Sequence, residues 1–283
     1  MKEKFREFCR QFFQNRMGVI GLGILVVFVL IAIFAPFIAP YDPYERVGAP
    51  MLAPCAEHLL GTNDIGQDIL SELIYGTRIS LIMGVAAAFI AVFIGSVIGI
   101  VAGYFGGRVD TVLMRIVDIV MTIPSTPLMI LLAAFVGPSF WNIVLVIGCL
   151  SWATVARIVR SQVLTVRNRG YIESVKTLGG KPGYIIIKHI LPPTMSIIIS
   201  RLILMSSRAI MSEASMSFLG LGDPTHKSWG IILYYAQSRS AFLTNAWLWW
   251  ILPAGLMITL LSIAFSYVGN AMEEIVNPRL RKE

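Results

Sequence analysis

Charge is scarce in this chain. Of its 283 residues only 14% are Asp, Glu, Lys or Arg, and 56% are hydrophobic; a typical soluble domain is roughly 25% charged. A soluble protein of this length cannot hide so much apolar surface, so lipid is the expected solvent. Cysteine is also sparse. Cys9, Cys55 and Cys149 form no CxxC pair, which argues against a metal site or a disulfide framework. The three histidines, His58, His189 and His226, are scattered, and neither HExxH nor GxSxG occurs, so proteolysis within the membrane has no visible machinery. A phosphate-cradling G-x-x-x-x-G-K-[ST] loop is missing too. Gly179-Gly180-Lys181 is followed by Pro182, and no glycine stands at the required earlier position. No cofactor and no catalytic residue are expected in this chain.

What is present is a series of long apolar runs. A spanning helix needs about 20 mostly apolar residues, and six segments meet that length: about 17–39, 79–102, 112–137, 141–159, one within 194–221, and 247–268. The first is too long for the apolar core of a signal peptide, and no A-x-A site follows it, so a retained anchor is expected. The fold class is therefore all-α and polytopic, with six transmembrane helices.

The net charge of +7 has a directional explanation. With both termini inside, 17 of the 23 Lys and Arg residues fall on inside segments and four outside, while Arg201 and Arg208 lie within the fifth span. This asymmetry sets orientation by the positive-inside rule and removes any need for nucleic acid as a partner. Trp229, Trp247, Trp249 and Trp250 read as anchors at the membrane interface.

The inside loop over 160–193 carries the most local structure. Its pattern predicts a short helix up to Leu178 that is stopped by Gly179 and Gly180. Pro182 then suits the first turn of a second helix. Leu191-Pro192-Pro193 is expected to end that element before the fifth span. Two readings stand: a folded docking element, or an amphipathic surface helix anchored by lysines.

These residues resemble those of a family. Glu173, then Gly179, then nine residues and His189-Ile190-Leu191-Pro192 reproduce the loop pattern of membrane subunits of ABC importers, with Ser174 and Val175 where the family has two alanines. Further stretches resemble the second permease subunit of the oligopeptide/dipeptide/nickel branch. They are Leu60–Asp68, with Gln67 where Arg is usual, then Gly103–Gly107, Glu213–Gly222, Ser228-Trp229-Gly230 and Asn277-Pro278-Arg279-Leu280. The resemblance covers nearly the whole chain. It implies a type I ABC importer permease fold, with a tail, first helix and outside loop over 1–77, a five-helix transport core over 78–270 and an inside tail over 271–283. It also implies a bacterial or archaeal cytoplasmic membrane and an ATPase-coupling site at Glu173, Ser174, Val175, Gly179, His189, Leu191 and Pro192. The implied partners are a homologous permease, two ATPase subunits that bind ATP and Mg, an external substrate-binding protein and lipid. The implied cargo is a peptide, with nickel or a metal chelate as the alternative; an ATP-independent channel or secondary transporter is the reading from a different class.

Three features remain. Ala87, Ala91, Gly95, Gly99 and Gly103 recur every four residues in the second span, a ridge suited to close helix approach. Packing within the subunit is the favoured reading, with a seam to a partner permease as the other. Arg201, Arg208 and Glu213 lie in the fifth span, and the two arginines, seven apart, share a face. They form either a pore face that attracts a peptide carboxylate or an ion-pair network with neighbouring helices, the latter favoured. His58, Asp64, Asp68 and His226 are solvated loop residues or, at low weight, a metal-collecting patch.

Overall fold

A computed structural model describes residues 10–276. Lys2, Lys4, Arg6, Cys9 and the Asn277–Leu280 motif, with Arg281 and Lys282, lie outside the described residues. Ten α-helices that lie wholly among the described residues carry the fold: α1 Arg16–Ile38, α2 Ile69–Phe105, α3 Gly107–Thr122, α4 Ser125–Val136, α5 Phe140–Arg167, α6 Gly170–Thr177, α7 Pro182–Ile185, α8 Leu191–Met216, α9 Trp229–Ser238 and α10 Ile251–Val276. Among the described residues, five helical stretches are long and apolar enough to cross a membrane, and six if α3 and α4 are one broken span. The expected all-α, polytopic architecture is what forms.

α2 is the central helix. Asp68 caps it: its backbone is extended, and its carboxylate accepts the Ser71 N–H at 2.8 Å, which satisfies a donor that the first turn leaves free. Its 37 residues exceed the length a span requires. The small-residue ridge faces α5. A Cβ on Gly95 would lie 2.6 Å from the Trp152 carbonyl oxygen, and one on Gly99 would lie 2.6 Å from that of Ala156. The ridge is thus consumed by packing inside the subunit. α8 closes the other side of α2, α10 packs on α8, and α1 packs on α10 through Gly18 and Gly21.

Three expectations need correction. The third span is not one rod: α3 and α4 are bent by 83° about Ile123-Pro124. Proline has no N–H and pushes its predecessor out of the helical region, and Ile123 is indeed extended (ψ 127). Leu191-Pro192-Pro193 does not end the second loop helix. A π-helical turn, Ile186–Ile190, carries the chain from α7 straight into α8, whose first turn holds both prolines. Finally, Trp229 and Trp250 are not interface anchors, because both are fully buried. Trp229 fills the junction of α9 with α2, where its Nε1–H donates to the Leu73 carbonyl at 3.0 Å. Trp247 stays at the surface.

Candidate functional site

The loop over 160–193 folds as helix, glycine, helix. α6 ends at Thr177, and Gly179 takes a left-handed backbone (φ +81) that an L side chain rarely adopts. Gly180 is needed for space: a Cβ there would sit 2.8 Å from Val175 Cγ1 and 2.8 Å from the Val175 carbonyl oxygen. Ser174 faces solvent and donates back to the Gly170 carbonyl at 3.1 Å, so the two positions that depart from alanine are accommodated in different ways.

The foot of this element is buried. Ile172, Ile185 and Ile190 are fully covered and join a cluster with Val159, Val163 and Val166 of α5 and Tyr104 of α2. Lys176 Nζ lies 5.5 Å from the centre of the Tyr104 ring. The tip is the reverse. Leu178 is 86% exposed, and Tyr171, Tyr184 and Ile187 are also open to solvent. Glu173 and Pro192 are exposed, Val175 and Leu191 are half-buried, and His189 sits against Tyr171 and Tyr184. A rigidly footed element with an apolar exposed tip can transmit a displacement into α2, α5 and α8. The residue that sequence reasoning passed over is Leu178. An apolar residue between a helix and its glycine stop was the available signal.

The fifth span separates into three fates. Arg201 is ion-paired with Glu273 of α10. Glu213 is fully buried, and its Oε1 accepts hydrogen bonds at 2.7 Å from Ser217 and at 2.7 Å from Ser228. It ties α8 to the start of α9 and meets neither arginine. Arg208 is exposed and lines two adjoining cavities of about 230 Å³ and 470 Å³. Among the described residues, Arg201 is in an ion pair and Arg208 and Glu213 are in none.

On the loops expected to lie outside, His58 and Asp68 are buried against each other at 3.0 Å rather than solvated. His226 pairs with Asp223. No group of three or more His, Cys, Asp or Glu side chains that could hold a metal ion occurs among the described residues. Burial raises the Asp223 carboxyl pKa, but hydrogen bonds from Thr225, His226 and the Phe140 N–H outweigh it and hold the group below its ordinary value. Gln67 accepts a hydrogen bond from Lys227, which also pairs with Glu72, so a lysine from another loop supplies the cation beside the position where the resemblance places an arginine.

The chain matches known proteins along most of its length. Residues 95–282 match the family described as binding-protein-dependent transport system inner membrane component. Residues 4–59 match the N-terminal TM domain of oligopeptide transport permease C. The chain is 36% identical over 275 residues to the dipeptide transport system permease protein DppC of Bacillus subtilis, covering 96% of this chain and 85% of that protein. It is 36% identical over 275 residues to the oligopeptide transport system permease protein OppC of the same organism, covering 96% and 88%. With the di/tripeptide permease DppC of Pseudomonas aeruginosa it shares 33% identity over 284 residues, covering 98% and 92%.

Proposed function

Because the chain belongs to the family of binding-protein-dependent transport system inner membrane components, we propose that it is the permease subunit of an ATP-driven peptide importer and forms half of the pore. The single observation that carries this reading is the inside loop. Its foot is locked into α2, α5 and α8 by Ile172, Ile185 and Ile190, and its tip presents Leu178 and Tyr184 outward. Such an element serves a partner that moves. The relatives named for dipeptides and oligopeptides support peptide cargo over nickel.

In this reading the chain performs no chemistry. Two cytoplasmic ATPase subunits bind ATP and Mg, a homologous permease completes the pore, and an external protein delivers the cargo. Glu173, Ser174, Val175, Gly179, His189, Leu191 and Pro192 make up the coupling region, and both termini face the cytoplasm. The transport core covers 78–270, although α2 begins outside it at Ile69. Closure of the ATPases pushes the loop, and the helices footed on it swing as blocks between two discrete packings.

The test is the purified complex in vesicles. Glu173→Ala and Leu178→Asp should separate ATP hydrolysis from peptide uptake while the chain still assembles in the membrane. Uptake that persists in ATP-depleted vesicles would replace this reading with a channel or secondary transporter.

A further inference from the structure

We infer that Arg208 is a station for the carboxylate of a passing peptide, set halfway along an aqueous lane that this subunit contributes to the pore; this rests on the reading of the chain as half of a peptide pore. The lane is visible as three cavities that share walls. The outermost is lined by Ser215 and Leu219 of the fifth span and shares Met129 and Ser212 with the next. That second cavity shares Thr154, Met205 and Arg208 with the innermost, which ends at Arg201 and Glu273. Residues 201, 208, 212, 215 and 219 recur at helical spacing, so one face of α8 and its outer turn lines the whole lane.

Two features at one depth mark the lane as wet. Arg208 stands at the middle of the span over 194–221. Among the described residues the ion pairs take up Arg157, Arg160, Arg201 and Arg239 and leave Arg208 with no carboxylate. An exposed guanidinium at mid-span is not tolerated by lipid; it faces water or a counter-charge. The break at Ile123-Pro124 lies at the middle of the third span, and Ile123 lines the same cavity as Arg208. Backbone that leaves the helix at membrane depth is tolerated where protein covers it or where it lines a water-filled cavity. The hydroxyl side chains of Ser125, Ser151, Thr154 and Ser212 share that cavity.

The cargo supplies the missing charge. A short peptide with a free C-terminus carries a carboxylate there whatever its sequence, and a guanidinium binds a carboxylate with two parallel hydrogen bonds. Arg201 does not compete for it, because Glu273 already neutralises that guanidinium. One unneutralised cation gives a station that favours the anionic end without selecting the side chains. A single exposed charge also holds its ligand weakly enough to release it inward.

The test uses the assembled importer, with Cys9, Cys55 and Cys149 replaced by serine and Ser212→Cys as a reporter. Negatively and positively charged methanethiosulfonate reagents are compared, each rate normalised to that with free cysteine. The expected result is faster modification by the anionic reagent. That preference should fall by roughly tenfold in Ser212→Cys/Arg208→Gln and survive in Ser212→Cys/Arg208→Lys. A free dipeptide should also slow modification more than its C-terminal amide. Equal normalised rates with Arg208 in place would overturn the carboxylate station and leave the pore reading standing, as a partner subunit's carboxylate on Arg208 would produce. A reporter inert to both reagents would show that no aqueous lane exists, and the assignment of this face to the pore would fail with it.

Discussion

Lys227 reaches across from the loop before α9 to pair with Glu72 in the first turn of α2, where Asn63 Nδ2 donates to the same carboxylate oxygen at 2.8 Å. The Lys227 ammonium also lies 5.3 Å from the centre of the Tyr44 ring, and Gln67 accepts from it. One cation therefore gathers three segments. Breaking a buried pair by removing one partner typically costs about 3–5 kcal/mol, because the other charge is stranded. Lys227→Met should lower the melting temperature sharply in detergent. Lys227→Met combined with Glu72→Met should recover most of the loss. Losses that simply add in the double variant would show that the pair is not coupled.

Asp223 makes a second outer link. It accepts the Phe140 N–H at 2.9 Å and so holds the start of α5 to the loop beyond the fifth span. Its carboxyl is held below its ordinary value, so its stabilising contribution is present in full above the unfolded carboxylate range, near pH 4. That contribution is lost as the pH falls through the lowered folded value. Asp223→Asn should therefore cost on the order of 1 kcal/mol at neutral pH, and the gap between variant and parent should close in acid. Stability curves at several pH values measure it; a gap that widened below pH 4 would contradict the assignment.

Much of this was legible in the sequence for physical reasons. Hydropathy and charge asymmetry announce spans because lipid leaves the backbone few options. Gly179 announces a stop because its conformation is nearly its own. The Pro124 break was missed because the apolar run continues through it, and composition hides a bend that backbone chemistry imposes. The fates of Arg201, Arg208 and Glu213 could not be separated by spacing. Glu273 lies 72 residues from Arg201, and Ser228 lies beyond a turn that only the fold brings back. Trp229 and Trp250 were misjudged because a tryptophan near a span end has the same local sequence whether it meets headgroups or a core.

The glycine ridge gives a packing prediction. Gly99 leaves no room for a side chain, since a Cβ there would lie 2.9 Å from Val159 Cβ as well as against the Ala156 carbonyl. Gly99→Leu should force α2 and α5 apart and cost about 1–3 kcal/mol or more. Gly23, which has open space, should accept leucine nearly without cost. Membrane levels and melting temperature of the two variants provide the comparison. Equal tolerance would mean that the ridge is not a closed seam.

The inside loop allows folding and docking to be separated residue by residue. Ile172 is fully buried and Leu178 is 86% exposed, although both belong to one short element. Ile172→Ala removes a foot contact and should destabilise the loop by about 2–4 kcal/mol, which lowers the melting temperature of the chain alone. Leu178→Asp removes no internal contact of that kind, so the isolated chain should melt normally. It should instead weaken co-purification of the ATPase subunits by at least tenfold, the scale of one well-placed interface anchor. Gly179→Ala forces a side chain into a left-handed conformation and should cost about 1 kcal/mol locally. It leaves the tip chemistry intact, so ATPase binding should persist while uptake per ATP hydrolysed falls. If Leu178→Asp lowered thermal stability and left ATPase association unchanged, the tip would be part of the fold and not a docking surface.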